Sequence, residues 1–321
     1  MKSGGPAVSA IVCTCNRETY LDGALRSLVD QTLPRAKYEI IVVDNGSAAS
    51  RAKTVCEKYG DVTYIYEPRI GVSYARNTGW RAAKGKIVAY LDDDEIASRD
   101  WLEMILKSFS QGGSCIGGKV LPSWEAPRPT WLTDNLLWAL GVLDWGIPRQ
   151  PLPSKKYLNA GNIAFKREVI ESVGGFREDL GLAVHSRKRS RRLLAGEETE
   201  IQIRISSYGG KLIYDPAIVV TTAIPAQHLR KRWFIERAFW QGVTDALIFD
   251  GKFLGRCNRI VNGLRQFASI HPRELLGSML WPDDGRRLTE RCVVAGRIGY
   301  VCGLWWIQPF QSTRYQDTLV P

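Results

Sequence analysis

No stretch of this sequence approaches the ~20 uninterrupted apolar residues that a membrane-spanning helix needs. The nearest, Cys292 to Ile307, is shorter and carries Arg297 in its middle. Met1 to Val8 lacks the basic segment and long apolar segment of a secretory signal. The seven cysteines are odd in number and scattered, and no two have the two-residue gap of a zinc knuckle. A reducing compartment without a structural metal is expected. No Gly-x-Gly-x-x-Gly follows the first apolar run, which argues against a dinucleotide enzyme. Helix-turn-helix, finger and single-strand-binding signatures are also missing, so nucleic acid is not an expected partner. The expectation is a soluble, cytoplasmic chain, with contact at the inner face of the cell membrane left open.

What is present is ordinary in bulk and uneven in charge. Of 321 residues, 45% are hydrophobic and 24% charged, which excludes a disordered chain and allows one large α/β domain with a smaller appendage. The net charge of +11 divides unequally. Residues 1–181 contribute +2, residues 182–192 contribute +5, residues 193–225 contribute −2 and residues 226–321 contribute +6. An excess placed so suits a phosphate-bearing substrate or an anionic membrane surface.

The first hundred residues alternate between strand and helix patterns. Val8 to Cys13, Tyr38 to Val43, Val62 to Tyr66 and Ile87 to Leu91 read as strands. Leu21, Leu25 and Leu28 recur at helical spacing, and Val72 to Ala83 reads as a second helix closed by Gly85. Such alternation predicts a parallel sheet covered on both faces, with ligands beyond the carboxyl ends of its strands. Asp44 and Asp92 to Asp94 fall at those ends. Residues 122–154 are rich in Pro and Trp, with Trp124, Trp131, Trp138 and Trp145 each seven apart. A helix would keep that spacing near one face, although Pro127 and Pro129 exclude Trp124 from it. Two readings stand: an edge packed on the sheet, or an aromatic platform for an acceptor. From Gln227 the pattern turns helical, with Leu229, Trp233, Trp240, Val243 and Leu247 on one face. The expected division is a catalytic domain over 1–225 and a helical region over 226–321.

Tyr-Leu-Asp-Asp-Asp-Glu at 90–95 is the strongest single signal. Successive carboxylates after a buried strand repel one another and call for a counter-ion. Hard oxygen ligands favour Mg²⁺ or Mn²⁺ completed by phosphates and water. The plainer alternative is a solvated acidic turn that caps a following helix. The order of motifs resembles the inverting glycosyltransferases of family 2. Those motifs are Val8 to Arg17, Ile41 to Ser47, Gly71 to Gly79, the acidic turn, Asn159 to Asn162, Gly174 to Phe176 and Gly196 to Glu200, within residues 8 to 245. The resemblance implies the α/β GT-A fold, three layers around a mixed, mostly parallel sheet, here with a C-terminal helical extension. It implies transfer of a sugar from a nucleotide-sugar donor, UDP slightly favoured, to a saccharide or lipid-linked acceptor in cell-surface polysaccharide synthesis. Within the catalytic domain, the resemblance implies nucleotide binding over 8–121 and acceptor binding over 122–225.

Residue by residue, the resemblance carries Thr14, Asn16, Arg17 and Glu18 onto the wall of the nucleotide pocket and Asp44 onto the base. Arg76 would approach the phosphates or ribose. Asp92 would serve ribose and metal, Asp93 would lie between on the donor side, and Asp94 would be a metal ligand. Asn159, Gly161, Asn162, Glu197 and Arg204 would border the sugar and acceptor. Glu198 stands where the family usually has a catalytic Asp and would take the acceptor's proton, one methylene farther out. Glu197 and Glu200 are alternatives, or could instead cap the helix or pair with Arg204. The tract His185 to Arg192 reads either as a solvated loop or as a basic lid for phosphates.

The sequence departs from the family at Val220 to Pro225, which lacks the metal-site His many members carry; His228 follows only beyond the proline. Two consequences stand open: a metal held by aspartates, phosphates and water, or lowered activity. The competing functions are a catalytically inactive binding or scaffold protein of the same fold, a processive synthase and a nucleotidyltransferase. Leu229 replaces the Gln of a synthase's Gln-x-x-Arg-Trp, and the Gly-rich basic signature of a nucleotidyltransferase is missing.

Overall fold

The computed structural model describes residues 5–47, 51–153, 156–181, 195–250, 261 and 285–306. The chain divides into two compact units, Met1–Arg230 and Lys231–Pro321. In the first, strands β1 (Val8–Thr14), β2 (Tyr38–Asp44), β3 (Val62–Tyr66) and β4 (Ile87–Asp92) pair in parallel. Helices α1 (Glu18–Val29), α2 (Arg51–Glu57) and α3 (Val72–Ala82) connect them. Past β4 come β5 (Glu95–Ala97), α4 (Trp101–Ser110), β6 (Cys115–Trp124), β7 (Gln150–Pro151), β8 (Ile163–Lys166) and α5 (Arg167–Ser172). The unit ends with α6 (Glu197–Ser207), β9 (Leu212–Ile224) and a short 3-10 turn, Ala226–His228. The sheet order is β3-β2-β1-β4-β8-β6-β9-β5, with β7 also on β9. One half is therefore all parallel and the other mixed.

The alternation of β1 explains the layers. Val8, Ala10 and Val12 face one way and meet Leu21, Leu25 and Leu28 of α1 and Trp101 and Ile105 of α4. Ile11 faces the other way, among Ala75 and Trp80 of α3 and Ile201 and Ile205 of α6. Both faces of the parallel half are buried, so its strands read as nearly continuous apolar runs. The expected strands and helices of the first hundred residues all form. The heptad of tryptophans does not make one helical face: Trp124 ends β6, Trp131 lies in a turn, Trp138 sits in a 3-10 segment (Asp134–Leu140), and Trp145 packs on Tyr214 with ring centroids 4.7 Å apart. Prolines and tight turns break the period before it can act.

The second unit contains α7 (Lys231–Asp245), extended by a π-helical turn over Ala246–Asp250, and α8 (Gly285–Trp306). The buried residues of α7 are Phe234, Ala238, Gly242, Val243 and Thr244; of the expected face Val243 is buried, while Trp233 and Trp240 are only half-buried. Gly242 has no room for a Cβ against the backbone of Gly296, nor Gly299 against that of Phe239. Close backbone contact thus needs the small residues of this face where the two helices approach. Among the described residues no helix is long and apolar enough to cross a membrane.

Glu67 fastens the loop after β3 under the strand ends. Its carboxylate accepts bonds from Arg69 Nε (2.9 Å) and Nη2 (2.8 Å), the Arg69 backbone N–H (3.0 Å) and Thr78 Oγ1 (2.6 Å). The Arg69 hydrogen bonds, first among the causes, lower its pKa to about 2. A pKa below that of the unfolded chain adds stability above the unfolded value, about 4.3, which is lost as pH falls toward the folded one. Glu67→Gln should cost about 1–2 kcal/mol near neutrality, discounted because the Arg69 end is half exposed. In urea titrations at stepped pH, the deficit should close between about pH 4.3 and 2.

Candidate active site at the strand ends

Register brings the sequence-predicted donor residues to one edge. Thr14 lies opposite Asp44, and Cys13 opposite Asp92, so β1, β2 and β4 end nearly level. The turn after β1 passes through Asn16 at φ 54°, a left-handed conformation that Asn tolerates better than most residues. The Asn16 backbone N–H donates to Ser47 Oγ (2.9 Å), and that of Asn45 to the Thr14 carbonyl (2.8 Å). Asn45 also donates its amide to the Arg69 carbonyl (2.6 Å) and accepts from the Gly71 N–H (2.9 Å). Three loops are thereby joined into one rim. Glu18 opens α1 beside it.

Asp44 is buried, and each of its oxygens already accepts one bond: Oδ1 from the Ser47 N–H (3.1 Å), Oδ2 from the Tyr64 hydroxyl (2.9 Å). A carboxylate has about four acceptor sites, so a nucleobase N–H can still be served. Burial, with help from Asp44, pushes the Tyr64 phenol up and keeps it a donor.

The acidic turn is met by two arginines. Asp92 Oδ1 takes Arg76 Nη2 at 3.3 Å. Asp93 takes Arg17 Nη1 at 2.7 Å and the Thr14 hydroxyl at 2.8 Å, and Asp94 takes Arg17 Nη2 at 2.7 Å. No helix is capped by this turn: Glu95 begins β5, which pairs with Val220–Thr222 of β9, and α4 starts only at Trp101. Desolvation raises the pKa of Asp93 to about 7 against the opposing pull of Arg17. It raises Asp92 as well, opposed by Arg76 and reinforced by Asp94. Glu95, which the motif reading left without a role, is buried with Oε2 unpartnered among the described residues. Its carboxyl lies against Gly161, where a Cβ would fall on it. The strand alternation Glu95 in, Ile96 out, Ala97 in was the available signal. Desolvation and the charges of Asp92 and Asp94 push Glu95 well above the usual carboxylate range. No group of three or more His, Cys, Asp or Glu side chains among the described residues forms a metal cage. Asp92 and Asp94 offer hard carboxylate oxygens, the donor type that Mg²⁺ or Mn²⁺ takes alongside phosphates and water.

α6 supplies the opposite wall. Arg76, buried in α3, pairs through Nη1 with Glu197 Oε1. Desolvation works against its charge, and Glu197 and then Asp92 outweigh it. Glu200 is held by Arg204 (Nη2–Oε2 2.7 Å), whose other contacts are the carbonyls of Val173 and Gly175. Arg204 is thus turned into the frame, bracing the Gly174–Phe176 loop, and Asn77 clamps the same loop through the Phe176 N–H and carbonyl, both 2.8 Å. Asn162 is also spent on the frame: its amide donates to the carbonyls of Lys119 and Ile218 and accepts from Trp101 Nε1. Asn159 caps the turn into Gly161 (2.8 Å) and donates to the Gly141 carbonyl. Glu198 is half-buried in the first turn of α6 and accepts from the Gly196 N–H at 3.2 Å.

Val220–Pro225 brings no imidazole, but His228 lies within electrostatic reach of the acidic turn. Burial and then Arg17 lower its pKa, against the smaller opposing pull of Asp94 and Glu125. Sequence order hid this, because a proline and a 3-10 turn intervene. Beside Arg17 opens a cleft of about 490 Å³ lined by Tyr20, Glu125, Pro225, Ala226, Gln227 and Arg230. The tract His185 to Arg192 lies outside the described residues.

The family described as glycosyl transferase family 2 matches residues 9–174. Among curated proteins, the chain is 28% identical over 246 residues to the glucosyl-dolichyl phosphate glucuronosyltransferase of Haloferax volcanii, covering 74% of this chain and 75% of that protein. It is 26% identical over 272 residues to the succinoglycan biosynthesis protein ExoM of Rhizobium meliloti, covering 81% and 78%. Among solved structures, the mannosyltransferase PcManGT of Pyrobaculum calidifontis, in complex with GDP-Man and Mn²⁺, superposes with TM-score 0.60 at 22% identity, covering 92% of this chain and 87% of that one. TarS of S. aureus in complex with UDP gives 0.52 at 14%, covering 93% and 90%. These likenesses bear out the GT-A architecture. With its family match spanning more than half of the 321 residues and running through the strand ends that carry Thr14, Asp44 and the acidic turn, this chain belongs to glycosyl transferase family 2.

Proposed function

We propose that this chain is an inverting glycosyltransferase that moves a sugar from a nucleoside diphosphate sugar to a hydroxyl of a saccharide or lipid-linked acceptor. Asp44 receives the base, with uridine favoured, and the Thr14–Glu18 turn and Asp92 line the nucleotide. Glu198 takes the proton of the acceptor hydroxyl as its oxygen bonds to the anomeric carbon. The bond from that carbon to the diphosphate breaks on the opposite face, and the nucleoside diphosphate leaves with the electron pair. The observation that carries this reading is the exposure of three neighbouring glutamates at the start of α6. Glu197 and Glu200 are buried, while Glu198 is half-buried and so open to an acceptor from solvent. A general base must first reach the hydroxyl, and only then does its pKa matter.

Asp92 and Asp94 would hold Mg²⁺ or Mn²⁺. When bound, the ion supplies charge neutralisation for the diphosphate leaving group. PcManGT was solved with GDP-Man and Mn²⁺ and TarS with UDP, which supports a nucleotide donor with a divalent ion. Relatives named for a glucosyl-dolichyl phosphate substrate and for succinoglycan biosynthesis support a saccharide or lipid-linked acceptor in surface polysaccharide synthesis. The +6 charge of residues 226–321 supports contact with an anionic membrane face.

Asp94→Ala should abolish the Mn²⁺ dependence of UDP binding in calorimetry while the fold survives, because the change lies in a turn. Equal UDP affinity in EDTA and in Mn²⁺ for the wild type would overturn the metal assignment.

Glu198→Gln keeps the shape and removes the proton acceptor, so transfer should fall about 10²–10⁴-fold. Donor affinity should hardly change, since the nucleotide rests on other strand ends. Glu198→Asp should also be slower if the backbone is set for the longer side chain. Transfer at the wild-type rate by Glu198→Gln, with loss in Glu197→Gln, would move the base one residue back.

A further inference from the structure

Arg17 stands where a metal ion would have to approach. Its two terminal nitrogens form a fork across neighbouring carboxylates, Nη1 to Asp93 and Nη2 to Asp94, each at 2.7 Å. The two ends of that fork differ. Asp93 is nearly buried, and its second oxygen is fixed by the Thr14 hydroxyl at 2.8 Å. Asp94 is more open, with a side chain 22% exposed. The guanidinium lies over the Tyr20 ring at 4.8 Å and its side chain is 38% exposed, so one face is packed and the group still reaches solvent. Asp92 is served separately by Arg76.

We propose that Arg17 is the resident counter-cation of the acidic turn: it holds Asp94 in the donor-free protein and gives it up to a divalent ion arriving with a diphosphate, pivoting on Asp93. The inference rests on the reading of Asp94 as a metal ligand. A divalent ion on an Asp94 oxygen would come within a few ångströms of the guanidinium bonded there, and two cations at that range repel strongly in a partly desolvated site. One must withdraw. A released guanidinium fork matches phosphate oxygens as well as carboxylate ones, and the diphosphate arrives at the same place. Without a donor, the arginine spares the turn its own repulsion. With one, the same side chain becomes a phosphate ligand. Competition of this kind discourages bare metal binding and couples the ion to the nucleotide.

The test uses the full chain and two probes, Mn²⁺ alone followed by electron paramagnetic resonance, and UDP in EDTA followed by calorimetry. Arg17→Gln should bind Mn²⁺ alone roughly three- to tenfold more tightly, the equivalent of losing one partly exposed ion pair. The same variant should bind UDP in EDTA several-fold more weakly. A purely structural salt bridge would move neither value in this crossed fashion. Arg17→Lys retains the charge and loses the fork, and should also bind Mn²⁺ more tightly than wild type. Unchanged or weaker Mn²⁺ binding by Arg17→Gln, or Arg17→Lys equal to wild type, overturns the proposal. Asp94→Ala separates the two levels. If it abolishes Mn²⁺ binding while Arg17→Gln has no effect, only the arginine's role fails; if it leaves Mn²⁺ binding intact, the metal reading fails and takes this inference with it. Thermal melts of each variant check that the fold is retained.

Discussion

Arg76 is almost fully buried, and a buried guanidinium is tolerated only where carboxylates meet it. Here they come from two distant parts of the chain, Asp92 at the end of β4 and Glu197 at the start of α6. Breaking such a pair by removing one partner typically costs about 3–5 kcal/mol, because it strands a charge away from water. The parallel half of the sheet and the helix opposite it are therefore tied by electrostatics as well as by packing. The Arg76 carbonyl accepts from the Tyr90 hydroxyl at 2.9 Å, and its guanidinium lies over the Phe176 ring, so the charge pair is set into the aromatic core beneath it. The arginine expected at the donor's phosphates is also the one that fixes α6.

The same reasoning extends to the acidic turn. Three aspartates and Glu95 crowd within four residues, and desolvation raises several of them while two arginines pull the other way. A site in that balance is sensitive to any added cation or anion. A diphosphate with its metal, bound there as proposed, would shift that balance of charge. The frame around it has little freedom to respond elsewhere. Asn162, Asn77 and Arg204 spend their hydrogen bonds on backbone carbonyls and N–H groups, so response is confined to the rim.

Much of this was legible in the residues. Strands buried on both faces betray themselves as unbroken apolar runs, and the carboxylates at their ends are conspicuous because nothing apolar requires them. Asp44, Asp92 and Asp94 were found in this way. The tryptophan spacing misled, because a period in sequence has meaning only within one continuous helix, and turns divide this one. In α7 Trp233 and Trp240 outweighed Ala238 and Gly242 on paper, while packing buried those small residues, with Phe234, for their close backbone approach.

The sequence by itself determined the strand–helix order, the acidic turn and the family, since each depends on local pattern and on motifs in a fixed order. Only the tertiary structure decided the partners. That Glu197 is committed to Arg76 and that Arg17 forks across Asp93 and Asp94 depend on pairings 76 to 121 residues apart, and Glu200 takes Arg204 one helical turn on, while His228 comes within electrostatic reach of Asp94 from beyond its proline. Charge pairing is a matter of distance in space and of exclusion from water. Neither quantity is written in the order of residues until the chain has folded.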